Sequence, residues 1–200
     1  MKNNTAISPL NIARMREDIH FQTNLVGRQF NFCSTWGLFS PKVVDEGSQL
    51  LIDRLQVESA DRCLDLGCGY GPIGLAMASL ASEGQTVLID KDFVAIEYSK
   101  KNAALNKLDN VDIFLSNGFS HIDDHYFDVI ASNLPAKTGK ELYYLYFYDA
   151  FVRMRPGAQF YVVTISGLRR FIERAFKEVF GNYKKLKQGQ VYTVALAVKE

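Results

Sequence analysis

The sequence predicts an α/β fold built on a mostly parallel sheet, and three features carry that prediction. From Arg62 onward, short apolar runs alternate with helical patterns of about ten to fifteen residues, the rhythm of βα units. A glycine-rich turn, Gly67 to Gly71, joins the first such run to the first helical stretch. Near the C-terminus two strand-like runs are separated only by Gln188-Gly189-Gln190, too little chain for a parallel crossover, so the sheet ends in an antiparallel hairpin.

Taken in order, Ser8-Pro9 reads as the N-cap and first residue of a short helix carrying Leu10, Ile12, Ala13 and Met15. Phe21 to Ser34 alternates around Leu25-Val26-Gly27-Arg28 and predicts a β-hairpin turning near Gly27, followed by an irregular Trp36 to Pro41. Asp45 can cap a helix carrying Leu50, Leu51, Ile52 and Leu55. The strands are then expected at Cys63 to Leu66, Thr86 to Asp90, Val111 to Leu115, Phe127 to Ser132 and Gln159 to Ile165. Helices are expected at Pro72 to Ala81, Asp92 to Leu105, Lys140 to Arg153 and Leu168 to Phe180, before the hairpin strands Tyr183 to Lys187 and Val191 to Val198. With no internal repeat, low-complexity tract or linker, residues 1–200 read as one domain in which 1–36 form an N-terminal helix and β-hairpin extension.

Over 200 residues, 48% are hydrophobic and 22% charged, which excludes disordered and collagen-like classes. Lys and Arg number 23 against 22 Asp and Glu, so no whole-molecule basic field exists and any nucleic-acid contact must come from a local patch. Cys33, Cys63 and Cys68 form neither an even disulfide framework nor a C-x-x-C pair, which predicts a reducing, cytoplasmic setting. No run approaches the ~18 apolar residues of a membrane span, so no membrane partner is expected.

Asp65-Leu66-Gly67-Cys68-Gly69-Tyr70-Gly71-Pro72 follows a predicted strand and opens a predicted helix. Glycines there let backbone approach a ligand, and the free N–H groups of the helix N-terminus attract an anionic end. Asp90, at the end of the next strand, stands where an acidic side chain can accept both hydroxyls of a ribose, which indicates a nucleoside cofactor. Gly69-x-Gly71-x-x-Gly74 also satisfies the dinucleotide fingerprint, so a nicotinamide cofactor is a competing reading. The segment resembles the first motif of class I S-adenosylmethionine methyltransferases, D-x-G-x-G-x-G. That resemblance implies a Rossmann-like class I methyltransferase fold, S-adenosyl-L-methionine as cofactor, and Asp90 as the acidic residue of the second strand.

The fourth strand pattern stops at Asn133-Leu134-Pro135-Ala136, and in an open α/β sheet this strand end and the glycine turn face one crevice. A conjugated exocyclic amine is a poor nucleophile. A carboxamide oxygen and a backbone carbonyl can accept its two N–H bonds and aim the nitrogen lone pair at a methyl donor, roles that Asn133 and Leu134 can fill while Pro135 stiffens the turn. The tetrapeptide resembles the N-P-P-[FYW] motif of amino-directed N-methyltransferases, with Leu134 in place of a proline and Ala136 in place of the aromatic that stacks on the target. Trp36, Phe39, Tyr143 and Tyr144 are the candidate replacements, and most tyrosines of 143–148 are expected to serve helix packing.

Four segments in order, Gly37-Leu38-Phe39-Ser40, Asp45 to Leu51, Asn117-Gly118-Phe119 and Ser132 to Pro135, extend a resemblance from about Gly37 to Val198. They resemble the methyltransferase small domain of 16S ribosomal RNA guanine-N2 methyltransferases of the small subunit methyltransferase C type. The resemblance implies a guanine-N2 rRNA methyltransferase whose cofactor pocket includes Phe39, Asp65, Gly67, Cys68, Gly69, Gly71, Asp90, Lys91, Asn117, Gly118 and Asn133. RNA, as 16S rRNA or a small-subunit assembly intermediate, is the implied partner of a monomer or homodimer. Lys42, Lys137 and Lys140, nearer the crevice mouth, can hold RNA phosphates, and with Ala136 at the stacking position they are the candidate substrate contacts. A protein-glutamine or small-molecule N-methyltransferase, or an inactive nucleoside-binding module, are the alternatives.

Other signals are weaker. His121-x3-His125 has a metal-compatible spacing but lacks further ligands, and no metal is expected. Arg169, Arg170, Arg174, Lys177, Lys184, Lys185 and Lys187 outnumber Glu173 and Glu178 on a segment that is either a solvated face or a phosphate contact. Cys68 is expected to be a small turn residue rather than a nucleophile, since no second cysteine could resolve an adduct.

Overall fold

The computed structural model describes residues 9–123 and 126–200. Helix α1 (Pro9–Met15) precedes a two-stranded antiparallel sheet of β1 (Ile19–Leu25) and β2 (Arg28–Ser34). Val26 and Gly27 both take positive φ, 47° and 76°, the backbone of a two-residue hairpin turn whose twist matches its strands. The cap predicted at Ser8 and the second histidine of the H-x3-H pair, His125, lie outside the described residues.

Helix α2 (Glu46–Ile52) begins where predicted, with Asp45 accepting the Ser48 N–H at 3.1 Å, but it stops at Ile52 and leaves Leu55 beyond its end. The βα units follow as β3 (Arg62–Leu66), α3 (Pro72–Leu80), β4 (Gln85–Asp90), α4 (Phe93–Leu105), β5 (Val111–Leu115), β6 (Phe127–Asn133), α5 (Lys140–Val152) and β7 (Met154–Ile165). A 3-10 turn, Ser166–Leu168, leads into α6 (Arg169–Phe180), then β8 (Lys184–Gln188) and β9 (Tyr192–Val198). The expected strand starting at Gln159 therefore begins at Met154: Phe127 pairs with Met154 before an irregularity, and regular pairing resumes at Val129 with Gln159.

The main sheet has strand order β5-β4-β3-β6-β7-β9-β8, with β3 to β7 parallel and β9 antiparallel to both neighbours. The chain moves outward from β3 through β4 to β5, then returns to the other side of β3 with β6. The crevice between the carboxyl ends of β3 and β6 is thus a topological switch point, the place where open α/β sheets bind ligands. One apolar layer packs α2, α3, α4 and the β1–β2 hairpin on one sheet face, around Leu51, Ile73, Ile96 and Phe32. The other packs α5 and α6 through Tyr143, Phe147, Phe176 and Phe180. No helix among the described residues is long and apolar enough to cross a membrane.

Candidate active site

A cavity of about 630 Å³ opens over the switch point. Its floor is the turn after β3, where Gly67, Gly69 and Gly71 take φ of 78°, 57° and 96°. A Cβ built on Gly67 or Gly69 meets nothing within 4 Å, so the backbone lies bare toward the space. The turn is held from both sides. Asp90 accepts the Gly69 N–H at 2.9 Å through Oδ2 and the Asp92 N–H at 2.9 Å through Oδ1, and the Ser99 hydroxyl donates to the Gly69 carbonyl at 2.9 Å. Each Asp90 oxygen keeps a second lone pair, as a vicinal diol requires.

Asp65 does not line the cavity. It lies 1% exposed beneath the turn, where Oδ2 accepts the Gly74 N–H at 2.7 Å and Oδ1 has no partner among the described residues. Burial pushes its carboxyl up to about 7. Gly74 itself is required by space: a Cβ there would sit 2.4 Å from the Leu88 side chain, so the third glycine of the fingerprint permits close approach of α3 to β4.

At the opposite wall, β6 delivers Asn133 and the chain leaves as Leu134-Pro135-Ala136. Asn133 Nδ2 donates to Asp45 Oδ2 at 3.1 Å and to Ser48 Oγ at 2.9 Å. A carboxylate only accepts, so the amide nitrogen must face Asp45 and Oδ1 faces away. The Leu134 N–H donates to the Val163 carbonyl at 3.0 Å, and the Tyr143 hydroxyl donates to the Pro135 carbonyl. Three successive residues are therefore pinned by α2, β7 and α5.

The cavity gathers Phe39, Gly67, Cys68, Gly69, Asp90, Lys91, Gly118, Asn133, Leu134, Pro135, Ala136 and Lys137 from the predicted set. Gly71 stands behind its wall as the N-cap of α3, and Asn117 is exposed outside it. Lys42 and Lys140 are drawn off to aromatic rings: Lys42 Nζ lies 4.7 Å from the Trp36 ring centre and Lys140 Nζ 5.7 Å from that of Phe171. Of the candidate stackers, Phe39 lines the cavity and is 65% exposed, whereas Tyr143 is buried and Tyr144 packs on Phe171. The Cys68 thiol is buried, its pKa pushed well up by desolvation, which suits a packing residue and not a nucleophile.

Sequence reasoning missed Ser48, Tyr146 and Tyr192 as wall residues and gave Asp45 a helix cap and a place in a family-like segment but no part in the site. Tyr192 Oη donates to Asp45 Oδ1 at 2.9 Å, and Tyr146 faces Gly118 and Asp90. The spacing of Tyr143 and Tyr146 on α5 was a usable signal for the latter, since three residues separate neighbours on a helix face. Nothing local marks Tyr192, which reads as one more strand residue.

A bare glycine turn with a carboxylate at its side fits an adenosyl amino acid. Comparison with known proteins agrees. The methyltransferase small domain model matches residues 29–196. YbxB of Bacillus subtilis (strain 168) is 34% identical over 179 residues, 88% of this chain and 89% of that protein. Ribosomal RNA small subunit methyltransferase C of Erwinia tasmaniensis is 34% identical over 170 residues, which are 82% of this chain but 48% of that protein, so the chain spans about half the length of that relative. Among solved structures, the Thermus thermophilus 16S rRNA N2 G1207 methyltransferase, in complex with AdoMet and guanosine, superposes with a TM-score of 0.83 at 27% identity over 92% of this chain and 51% of that one. A Pyrococcus furiosus methyltransferase shares the fold, with a TM-score of 0.67 at 22% identity and 90% of its chain covered. The chain belongs to the methyltransferase small domain family, and its cofactor is S-adenosyl-L-methionine.

Proposed function

We propose that this protein methylates the exocyclic N2 amine of a guanine in small-subunit ribosomal RNA. The observation that carries the reading is the fixed Asn133 amide, whose nitrogen is committed to Asp45 and Ser48 and whose oxygen is left for an acceptor amine. Bound S-adenosylmethionine supplies an electrophilic methyl on a sulfonium. Asn133 Oδ1 and the Leu134 carbonyl each accept one N–H of the amine, which turns the nitrogen lone pair out of conjugation and toward the donor. Fixing that approach can contribute on the order of 7–11 kcal/mol. The proton released from the nitrogen leaves to water through the open mouth.

Ala136 leaves space where related motifs carry an aromatic, and exposed Phe39 on the facing loop takes over as the stacking platform. A lost base-stacking partner removes ~1–3 kcal/mol, so this replacement matters for affinity. Lys137 at the mouth, with Lys140 and Arg174 flanking the Phe171 ring, offers phosphate contacts. The names of the relatives, 16S rRNA and small-subunit methyltransferases, support RNA as the substrate class.

The test is transfer of labelled methyl into 30S subunits, total RNA and protein from cells lacking this chain, followed by mapping. Label at one guanine N2 of 16S rRNA, lost in Asn133→Ala with the affinity for S-adenosylhomocysteine held within about threefold, is expected from loss of an orienting contact alone. Label confined to protein or small molecules, or full activity in the variant, overturns the reading.

A further inference from the structure

We propose that Asp45 is a positioning residue for methyl transfer: with Tyr192 it locks the Asn133 amide so that oxygen, not nitrogen, meets the acceptor amine. The inference rests on the role given to Asn133 above. A carboxamide has nearly the same shape when turned by 180°, and one of its two faces is useless here, because an NH2 group cannot accept from an amine. Something must decide between them. Ser48 Oγ cannot, since a hydroxyl both donates and accepts and would satisfy either orientation. Asp45 can, because its carboxylate accepts only and stands 3.1 Å from Nδ2.

The carboxylate is itself prevented from turning. Oδ2 also accepts the Ser48 N–H at 3.1 Å, and Oδ1 accepts the Tyr192 hydroxyl at 2.9 Å from β9, two strands beyond β6 in the sheet. Gly47 keeps the space between them open: a Cβ at that position would lie 2.8 Å from Asp45 Oδ2 and 2.9 Å from the Tyr192 ring. The helix cap, the strand residue and the missing side chain thus converge on one rotamer of one amide.

Two substitutions separate positioning from capping and from proton transfer. Asp45→Ser keeps a competent N-cap for α2 but is too short to hold Asn133. Asp45→Asn keeps the cap, offers Oδ1 to Asn133 and offers its NH2 to the Tyr192 oxygen. With 30S subunits as substrate, Asp45→Ser is expected to lower kcat about 100-fold while the affinity for S-adenosylhomocysteine moves less than about threefold, and Asp45→Asn to stay within about fivefold of the parent. If Asp45→Asn is as inactive as Asp45→Ser, the carboxylate acts as a base and the proposal fails. It also fails if Asp45→Ser keeps full kcat.

A second readout needs no substrate. The side-chain NH2 signals of Asn133 in a 15N spectrum, assigned by their loss in Asn133→Asp, should be shifted in the parent and in Asp45→Asn and move to the solvent-exposed range in Asp45→Ser. Unchanged signals in Asp45→Ser overturn the proposal. If the parent leaves 30S subunits unlabelled, it is the ribosomal RNA reading that fails, and these signals alone decide the role of Asp45.

Discussion

The side-chain amide of Asn102 grips the peptide of Cys33 from both ends: Oδ1 accepts the Cys33 N–H at 2.7 Å, and Nδ2 donates to the Cys33 carbonyl at 2.9 Å. One turn later, at the C-cap of α4, Asn106 does the same with Asn31, accepting its N–H at 2.9 Å and donating to its carbonyl at 2.8 Å. The spacing works because four residues of helix rise about 6 Å and two residues of strand span about 6.6 Å. The hairpin is therefore laced to the α/β layer through its own backbone. Asn102 Nδ2 also donates to the Tyr70 carbonyl at 2.8 Å, which ties the same lace to the glycine turn.

The two asparagines should differ in what their loss does. Asn102→Ala strands buried polar groups of both the hairpin and the turn, and each costs about 1–3 kcal/mol, so unfolding in urea should show a loss of several kcal/mol. Binding of S-adenosylhomocysteine should weaken as well. Asn106→Ala should cost stability with binding intact. Equal binding in the two variants would detach Tyr70 from the cofactor site.

Asp90 is expected to act on the cofactor alone. Replacing it with alanine removes an acceptor from Gly69 and from the ribose together, and the Kd for S-adenosylhomocysteine should rise about 10- to 100-fold, or about 1.4–2.7 kcal/mol. The ligand-dependent rise in Tm should shrink accordingly. An unchanged Kd by titration calorimetry removes Asp90 from the ribose site.

Gly118 carries φ of +57°, and a Cβ there would lie 2.8 Å from Cε1 of Tyr146, whose hydroxyl is held above its ordinary pKa by burial and then by the charge of Asp90. Gly118→Ala should push that ring into the cavity and weaken cofactor binding about tenfold, near the 1.4 kcal/mol scale of a single steric conflict. Adding Tyr146→Ala should recover part of the loss. Additive effects in the double variant would mean that the two residues act separately.

The βα units were legible because their apolar runs and turn chemistry agree at each step from Cys63 to Leu115, and the convergence of the glycine turn with Asn133 followed from topology alone. What escaped was tertiary. Met154 to Ala158 is strand in the fold although the expected strand starts only at Gln159; regular pairing with β6 lapses there, and backbone bonds between Gly157, Ala158 and Lys199 hold the segment instead. Nothing local marks Asn102 and Asn106, which are buried because their partners are backbone groups of a hairpin distant in sequence. Lys42 and Lys140 point to the crevice by proximity in sequence, but neighbouring aromatic rings hold their ammonium groups elsewhere. Asp45 was visible as a cap; its second task depends on Tyr192, which is distant in sequence.

Asp65 sets a pH dependence with a defined sign. Burial raises its folded-state carboxyl to about 7, while the Gly74 N–H opposes the shift and the charge of Asp90 adds to it. An unfolded aspartate titrates near 3.9, so between about pH 4 and pH 7 the folded protein holds a proton that the unfolded chain has lost. Stability should therefore fall as pH rises through that window, because ionisation then has to occur in a buried site where one oxygen has no partner among the described residues. Asp65→Asn removes the titration while keeping an acceptor for Gly74. The difference in unfolding free energy between variant and parent, measured in urea at pH 5 and pH 8, should shift in favour of the variant at the higher pH. A difference that stays constant across that range would mean that Asp65 is ionised throughout, and that its buried carboxylate is stabilised by something other than the Gly74 amide.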